Sequence, residues 1–481
     1  MRNKLTRFRL IKRSFVLFAL CAAIIGVLLS TTLAKASGSQ VDLIVKGGTI
    51  VTMDTQRHVI ENGALAIKDG RIVQISPLSE VTAKYTARET VDGQGRIIIP
   101  GLINGHTHIP MTLFRGLADD LALDDWLNNY IFPAEARNVN EEFVRAGTQL
   151  GLAEMLRAGT TTFCDMYYFE DAVAEEAARA GVRAVVGETV IGFPVPDNKT
   201  PAAALAYAER FIRRWQNHPL ITPAIAPHAP YTVSQQDLQA ARQLSDRTGA
   251  PLLIHVAETR KELEDISQQK GASPVQYLEQ IGFLNNRVVA AHVVYADKND
   301  IALLQQREVG VVHNPQSNMK LASGVAPVPQ MLTAGVRLGL GTDGAASNND
   351  LNLWEEMDTA AKLHKVVNLD PTLVSAREAF EMATIRGAQA LHMEGDIGSL
   401  EAGKLADFVL IDAHKLHLTP LYNVYSHLVY AAKAADVRTV VIGGRVVMRE
   451  RQLLTLDEAA IKRRAVEFSK SIRRSLDTPP Q

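Results

Sequence analysis

Cysteine is scarce in this chain, which contains only Cys21 and Cys164 among 481 residues. A small secreted scaffold held together by disulfides needs several cysteine pairs, so the sequence excludes that class. Positive charge is not in excess either, because 51 basic residues stand against 52 acidic ones. Binding to a nucleic acid polymer depends on a basic surface, so this balance argues against such a partner.

What the chain does contain is an ordinary globular composition, with 47% hydrophobic and 21% charged residues. The length is sufficient for one large hydrophobic core or two smaller ones.

The first 36 residues differ from the rest. Residues 1–13 hold six basic residues and no acidic one, residues 14–34 are uncharged and mostly apolar, and Ala34-Lys35-Ala36 has the small residues that a signal peptidase reads. The pattern predicts a signal peptide or, since the apolar stretch approaches the length of a bilayer span, an uncleaved membrane anchor. We therefore expect an exported protein (periplasmic or extracellular) or an anchored one, with membrane contact only through residues 1–36. Without them, 44 basic and 52 acidic residues remain, a net charge of −8, with Cys164 as the single cysteine.

A His-x-His sequence follows an apolar run in residues 101–108, which read GLINGHTH. Residues two apart in a strand point to the same side, so His106 and His108 can bind one divalent metal together. Such a pair is a weak signal alone and can be incidental.

Three later apolar runs end in residues that also bind metals. Residues 251–258 read PLLIHVAE and carry His255, residues 287–292 read RVVAAH and end in His292, and residues 336–343 read VRLGLGTD and end in Asp343. Enzymes with a (β/α)8 barrel build their active sites at the carboxyl ends of the strands. One such histidine could be a hydrogen-bonded core residue, but the series predicts a metal centre.

Eight β-like runs alternate with helical segments, and each of the helices Glu141–Ala158 and Asp171–Ala180 is followed by a glycine. This alternation predicts parallel strands and an α/β fold, a (β/α)8 TIM-type barrel. An open doubly wound sheet is the alternative, but it needs a glycine-rich turn after its first strand, and none follows that run. The runs are Ile98–Asn104, Thr160–Cys164, Arg183–Glu188, Ile221–Ala226, Leu252–Ile254, Val288–Ala291, Val309–Val312 and Val336–Leu340.

The flanks of the barrel have a different pattern, with short alternating apolar runs and glycine turns in residues 41–73 and 398–447. They predict a small composite β-sandwich built from both chain ends. The expected organisation is a leader (1–36), a composite sandwich (37–96 and 396–450), a metal-dependent barrel (97–395), and a C-terminal helix and tail (451–481, with the helix over 459–475).

Beyond about residue 40, the chain carries several longer motifs: PGLINGHTH, MTLFRGLADDLALDDWL, AGTTTFCDMY, PHAPYTVS, HVAET, HNPQSNMKLASG and GTDGAASNNDLNLWEEM. In these motifs it resembles the amidohydrolase superfamily, in the branch of 5-methylthioadenosine/S-adenosylhomocysteine deaminases and triazine hydrolases. The resemblance implies a barrel with a composite sandwich and metal-dependent hydrolysis of carbon–nitrogen bonds other than peptide bonds. It also implies a nucleoside or N-heterocycle substrate and allows a homo-oligomer.

Carried over residue by residue, the resemblance assigns a role to each member of the expected site. It implies one divalent metal, Zn²⁺ or alternatively Fe²⁺. The metal ligands fall on His106, His108, His255 and Asp343; the catalytic residues are Glu258 as general acid/base, His292 as the polarising histidine and Asp343 as acceptor of a proton from water; the substrate-binding residues are Glu135 and His228.

Residue types alone leave other readings open for four of these positions. Glu258 could be a solvated residue at a helix start, and His292 a structural imidazole. Glu135 could be a surface acid, and His228 could serve loop packing between Pro227 and Pro230.

The fourth strand is informative because it lacks a lysine. Many dinuclear members of the superfamily carry a carbamylated lysine there, whereas Ile221–His228 reads ITPAIAPH. The sequence therefore predicts one metal ion rather than two.

The leading functional prediction is a deaminase of a 6-aminopurine nucleoside, of the adenosine, 5-methylthioadenosine or S-adenosylhomocysteine type. The loop Gly187–Thr200 contains no arginine and only Lys199 as a cation, which favours a small or weakly charged nucleoside. The alternative is hydrolytic displacement on a triazine-like or pyrimidine-like ring. A non-catalytic binding protein on this fold is a third possibility, which the complete set of ligand residues disfavours.

Overall fold

The computed structural model describes residues 38–477, so the predicted leader of residues 1–36 lies outside the described residues. The described chain opens with six strands and a short helix, α1 (Leu78–Lys84). They are β1 (Ser39–Lys46), β2 (Thr49–Val51), β3 (Val59–Ile60), β4 (Gly63–Lys68), β5 (Arg71–Pro77) and β6 (Tyr85–Asp92). Four of them form a sheet in the order β5-β4-β1-β6.

After β7 (Arg96–Pro100), eight parallel strands form one sheet in sequence order. They are β8 (Leu102–Thr107), β9 (Thr160–Tyr167), β10 (Arg183–Val190), β11 (Ile221–Pro227), β12 (Leu252–Val256), β13 (Val288–His292), β14 (Gly310–His313) and β15 (Arg337–Leu340). The last strand returns to the first, since the Thr342 amide donates to the Asn104 side chain (3.0 Å) and the Asp343 amide to the His106 carbonyl (2.9 Å). The predicted barrel is confirmed.

Helices fill the connections between the strands. They are α2 (Leu123–Asp125), α3 (Phe132–Asn138), α4 (Glu141–Ala158), α5 (Glu170–Ala180), α6 (Pro201–Trp215), α7 (Gln235–Thr248), α8 (Arg260–Lys270), α9 (Pro274–Gln280), α10 (Lys298–Gln306), α11 (Pro315–Lys320), α12 (Val328–Ala334), α13 (Leu353–Asn368), α14 (Ala376–Met382) and α15 (Ile385–Ala390). Local chemistry fixes their ends: at α4 the Asn140 side chain accepts from the Phe143 amide, and Gly159 closes the helix at φ +85°.

The C-terminal part adds β16 (Phe408–Asp412), α16 (Val424–Ser426), β17 (Val437–Ile442), β18 (Arg445–Arg449), β19 (Gln452–Leu453) and α17 (Glu458–Asp477). Its strands join β7, β2 and β3 in a seven-stranded sheet of order β19-β18-β17-β16-β7-β2-β3. Strands from both chain ends therefore share one sheet, as predicted.

The two flanking sheets form a sandwich because they share a core. Leu43 and Leu65 of the four-stranded sheet belong to the same buried cluster as Phe408 and Leu410 of the seven-stranded sheet. The opposite face of β16 carries Val409, which belongs to the barrel's main core. The seven-stranded sheet thus lies between the barrel and the outer sheet.

The prediction of Ile98–Asn104 as one barrel strand is wrong. β7 pairs with β16 in the composite sheet, and the barrel begins only at Leu102, after Gly101. A Cβ on Gly101 would lie 2.0 Å from Thr161 Oγ1, so only glycine allows this close approach at the transition. Continuous apolar character gave no sign that the run serves two sheets. The composite sheet also extends to Leu453, beyond the expected residue 450.

Within residues 38–477, no helix combines the length and the apolar character that a membrane span requires. Cys164 of β9 is buried.

Candidate metal centre and active site

Four predicted ligands meet at the carboxyl end of the barrel. Oδ1 of Asp343 lies 3.4 Å from Nε2 of His106 and 3.3 Å from Nε2 of His108. Nε2 of His255 lies 3.3 Å from Nε2 of His108. Strands β8, β12 and β15 therefore bring together the side chains that sequence reasoning selected.

The opposite ring nitrogens set the orientation of two of these imidazoles. Nδ1 of His108 lies 2.6 Å from the Met166 carbonyl, and Nδ1 of His255 lies 2.8 Å from the His228 carbonyl. A carbonyl oxygen only accepts, so each Nδ1 is the protonated donor. This arrangement orients the Nε2 atoms towards the centre, as in protein metal sites.

His106 tests whether a metal fits. Its Nε2 atom is buried and has no hydrogen-bond partner among residues 38–477, and burial lowers the pKa of its imidazole to about 4. A neutral, unpartnered nitrogen enclosed by polar groups is costly unless something binds it. Ligand atoms of His106, His108 and Asp343 all lie within 4.8 Å of one another. Imidazole nitrogens with one carboxylate oxygen suit a borderline divalent metal, so the donor set fits.

Asp343 is held as an anion. Its Oδ2 accepts from the hydroxyls of Ser317 (2.6 Å) and Ser347 (3.1 Å). Burial acts to raise the pKa of Asp343, but the nearby imidazoles of His106 and His108 hold this pKa well below the usual range.

Three residues around the centre have backbone angles that non-glycine residues seldom adopt. The φ angles are +62° at Asp343, +72° at His292 and +52° at Ala257. Such conformations cost energy and persist only where the surroundings enforce them, typically at functional sites.

Glu258 and His292 lie beside the predicted metal ligands. Glu258 is only 5% exposed, and its Oε2 lies 3.9 Å from Nε2 of His292. Burial raises the pKa of the Glu258 carboxyl, so this group can carry a proton closer to neutral pH than an ordinary glutamate. Nδ1 of His292 lies 2.8 Å from Oδ1 of Asn318, which orients its Nε2 towards Glu258. The reading of Glu258 as a solvated residue does not agree with this burial.

Glu135 is buried on α3 and faces the same pocket. Its two oxygens accept from the hydroxyls of Tyr167 (2.7 Å) and Tyr168 (3.3 Å). Burial raises the pKa of the Glu135 carboxyl to about 7, although both tyrosines oppose the shift. The reading of Glu135 as a surface acid is excluded by its burial.

His228 follows β11 and lies next to the predicted ligand His255, with ring centroids 4.9 Å apart. Its Nδ1 lies 2.9 Å from the Thr232 hydroxyl. Burial lowers the pKa of His228 to about 3, so this imidazole is neutral in the pocket.

One pocket is lined by seven of the eight predicted site residues: His108, His255, Asp343, Glu258, His292, Glu135 and His228. Most of its remaining wall consists of apolar side chains that include Trp126 and Phe132. The pocket continues outward into a cavity of about 500 Å³. Leu123, Phe132 and Leu321 border both spaces. A ligand larger than a single ring can therefore extend from the metal centre towards solvent.

Comparison with known proteins agrees with this architecture. The sequence profile of the amidohydrolase family matches residues 97–447. The chain belongs to the amidohydrolase family. It is also 48% identical over 439 residues to 5-methylthioadenosine/S-adenosylhomocysteine deaminase 1 of Syntrophus aciditrophicus (strain SB), an alignment that covers 91% of this chain and 99% of the relative. Membership of this family and the geometry of the candidate metal centre together show that the protein is a metal-dependent hydrolase.

Two solved structures show how far the likeness extends. An adenosine deaminase from Xanthomonas campestris with bound zinc has a TM-score of 0.89 and 40% identity, covering 91% of this chain and 100% of its own. The atrazine chlorohydrolase from Arthrobacter aurescens TC1, complexed with zinc, has a TM-score of 0.83 and 23% identity, covering 89% and 100%. The second likeness shows the fold alone.

Sequence reasoning missed the residues that hold the functional side chains of this amidohydrolase in place. Ser317 and Asn318 contact Asp343 and His292, and the Met166 carbonyl contacts His108. Ser317 and Asn318 belong to the HNPQSNMK segment, and the presence of this segment among the family motifs could have pointed to them. A backbone carbonyl has no signature in the sequence.

Proposed function

We propose that this protein removes the 6-amino group of a purine nucleoside by hydrolysis, releasing ammonia, with one zinc ion as cofactor. The observation that carries the proposal is that two buried carboxylates, Glu258 and Glu135, line the same pocket as the metal centre. One is suited to proton transfer at the reacting carbon and the other to binding the sugar. The deaminase name of the Syntrophus relative and the adenosine deaminase name of the Xanthomonas structure support the same chemistry.

Zinc is proposed because the donor set consists of imidazoles and one carboxylate, and because the Xanthomonas structure binds zinc. His106, His108, His255 and Asp343 would hold the ion. When bound, zinc supplies the Lewis acidity that makes water nucleophilic near neutral pH. Strand β11 offers no lysine to bridge a second metal, which supports one ion.

The protein's own groups account for the proton transfers of deamination. The ring nitrogen next to the reacting carbon must gain a proton, and so must the leaving amine. Glu258, with its raised pKa, is placed to deliver protons to both. Asp343 stays ionised and can accept a proton from the attacking water. His292, oriented by Asn318, can stabilise the charge that develops at the reacting carbon.

Glu135 and His228 are proposed to bind the nucleoside. Each Glu135 oxygen accepts one tyrosine hydroxyl and retains a lone pair for a ribose hydroxyl. The neutral His228 ring uses Nδ1 for Thr232, which leaves Nε2 for the substrate. Both act by positioning the nucleoside rather than by changing bonds.

The space beside Glu135 suggests whether the 5′ substituent of the nucleoside is charged or uncharged. It is lined by Phe132, Phe193 and Pro194, with Lys199 as its only cationic side chain. The Lys199 ammonium already lies 3.4 Å from the Val195 carbonyl. An apolar wall of this kind favours an uncharged tail, such as a methylthio group, over an amino-acid tail.

The proposal is tested by assaying zinc-loaded protein for ammonia release from adenosine, 5′-deoxyadenosine, 5-methylthioadenosine and S-adenosylhomocysteine. A chlorotriazine, followed by chloride release, serves as the comparison substrate. We expect ammonia from the nucleosides, with a higher kcat/KM for the uncharged tails than for S-adenosylhomocysteine. Chloride from the triazine without ammonia from any nucleoside would replace the proposal with hydrolytic displacement on a triazine-like ring.

The pKa of Glu135 predicts how substrate binding depends on pH. Its carboxylate form accepts hydrogen bonds from ribose hydroxyls, and this form is lost as the pH falls through about 7. KM for a nucleoside should therefore rise as the pH decreases from 8 to 6, and Glu135→Gln should have a higher KM that no longer changes in this range. A pH-dependent KM that persists in Glu135→Gln would assign the titration to another group.

A further inference from the structure

Asp165, a buried carboxylate of β9, contacts both neighbours of the ligand His108. Its Oδ1 atom accepts from the Thr107 hydroxyl (2.5 Å) and from the Ile109 amide (2.5 Å). The next residue, Met166, provides the carbonyl that orients the His108 ring. Strand β9 therefore holds the Thr107 side chain before His108 and the Ile109 backbone after it, and it also sets the direction of the His108 imidazole.

Glu262, in the first turn of α8, makes an equivalent contact with the segment that carries Glu258. Its Oε1 accepts from the Ala257 amide and its Oε2 from the Glu258 amide, both at 2.8 Å. Ala257 has the unfavourable φ of +52°. The bidentate contact compensates for this conformation and fixes the backbone from which the Glu258 side chain projects.

Burial makes both carboxylates costly. Asp165 has no accessible surface and Glu262 is only 4% exposed. Among residues 38–477, neither forms an ion pair with a lysine or arginine, and Oδ2 of Asp165 has no hydrogen-bond partner. Buried carboxylates without a cation destabilise the fold, so their presence suggests that their hydrogen bonds have a function. The hydrogen bonds of Glu262 come from the Ala257 and Glu258 amides, and those of Asp165 come from the Thr107 hydroxyl and the Ile109 amide, on either side of His108.

We propose that Asp165 and Glu262 are positioning residues with separate targets. Asp165 holds His108 for metal binding, and Glu262 holds Glu258 for proton transfer. The Glu262 part depends on the role of Glu258 in the proposed function, whereas the Asp165 part depends only on the metal centre. Neither residue lines the pocket at the metal centre. Glu262 borders only the outer cavity.

The two roles predict opposite patterns of defects. Asp165→Ala should weaken zinc binding by about 10–100-fold, the usual effect of removing a group that supports a metal ligand. Its kcat should recover when zinc is saturating. Glu262→Ala should bind zinc like the wild type but have a kcat lower by about 10–100-fold, with little change in KM.

The experiment measures the zinc dissociation constant by competition with a chelator, together with kcat, KM and the melting temperature of each metal-free variant. All variants are made in the full chain and assayed on the substrate that the wild type hydrolyses best. Asp165→Asn keeps an oxygen acceptor and should regain most of the zinc affinity. Glu262→Gln keeps an acceptor for one of the two amides and should have an intermediate kcat. If Glu262→Ala fails to fold, Glu262→Gln decides its part.

Glu176→Gln is the matched control. Glu176 is also a buried carboxylate, but it forms ion pairs with Arg145 and Arg179 away from the pocket. Its substitution should lower only the melting temperature. The proposal is overturned if Asp165→Ala binds zinc as tightly as the wild type, if folded Glu262→Ala turns over at the wild-type rate, or if both variants lose only thermal stability, as Glu176→Gln does. A wild type that releases no ammonia from nucleosides refutes the proposed function, while the zinc measurements still decide the role of Asp165.

Discussion

Glu258→Gln is expected to retain zinc and to lower kcat for ammonia release by about 10²–10⁴-fold, the range that a general acid/base contributes. Glutamine preserves the shape of the side chain but cannot carry the proton. The buried Glu258 carboxyl has a raised pKa and lies 3.9 Å from His292, beside the metal centre. The measurement compares kcat and zinc content of variant and wild type.

Glu264→Gln, an exposed glutamate six residues further along the chain, is the control for this substitution. It should behave as the wild type in both measurements. Wild-type turnover in zinc-loaded Glu258→Gln would remove Glu258 from the mechanism. A simultaneous loss of zinc would show that Glu258 acts on the metal centre instead.

His255→Ala should abolish stable zinc binding, whereas the wild type should bind one equivalent. The substitution removes one of the four predicted ligands and leaves His106, His108 and Asp343 at the centre. Because activity depends on the ion, ammonia release should fall to the background rate. Metal analysis after dialysis, together with the rate, measures both effects.

His414→Ala, at an exposed histidine that follows β16, is the matched control and should keep one zinc ion. One tightly bound zinc in His255→Ala would exclude His255 as a ligand. Two reproducible equivalents in the wild type would contradict the mononuclear centre.

The strand-end residues were predictable because strand geometry is simple. Side chains two apart share a face, and parallel strands in a barrel present their carboxyl ends to the same opening. His106, His108, His255 and Asp343 could therefore be expected to meet, although they are spread over more than 230 positions of sequence.

Other features depend on contacts that sequence patterns do not encode. The break between β7 and β8 follows from the packing of Gly101 against Thr161. The burial of Glu135 follows from the place of α3 over the barrel opening, which its local sequence does not determine. Asp165 accepts from a hydroxyl and a backbone amide, and Glu262 accepts from two backbone amides; an acid in such a role looks like any other acid in a sequence.

The central claim is that a zinc ion at His106, His108, His255 and Asp343 enables the protein to deaminate a 6-aminopurine nucleoside. The most direct test measures ammonia and 6-oxopurine nucleoside formed from 5-methylthioadenosine by metal-free protein, before and after one equivalent of zinc is added. We expect no product without zinc, and equal amounts of ammonia and 6-oxopurine nucleoside after zinc is added. Equal activity with and without zinc, or no ammonia from any 6-aminopurine nucleoside when zinc is bound, would contradict the account.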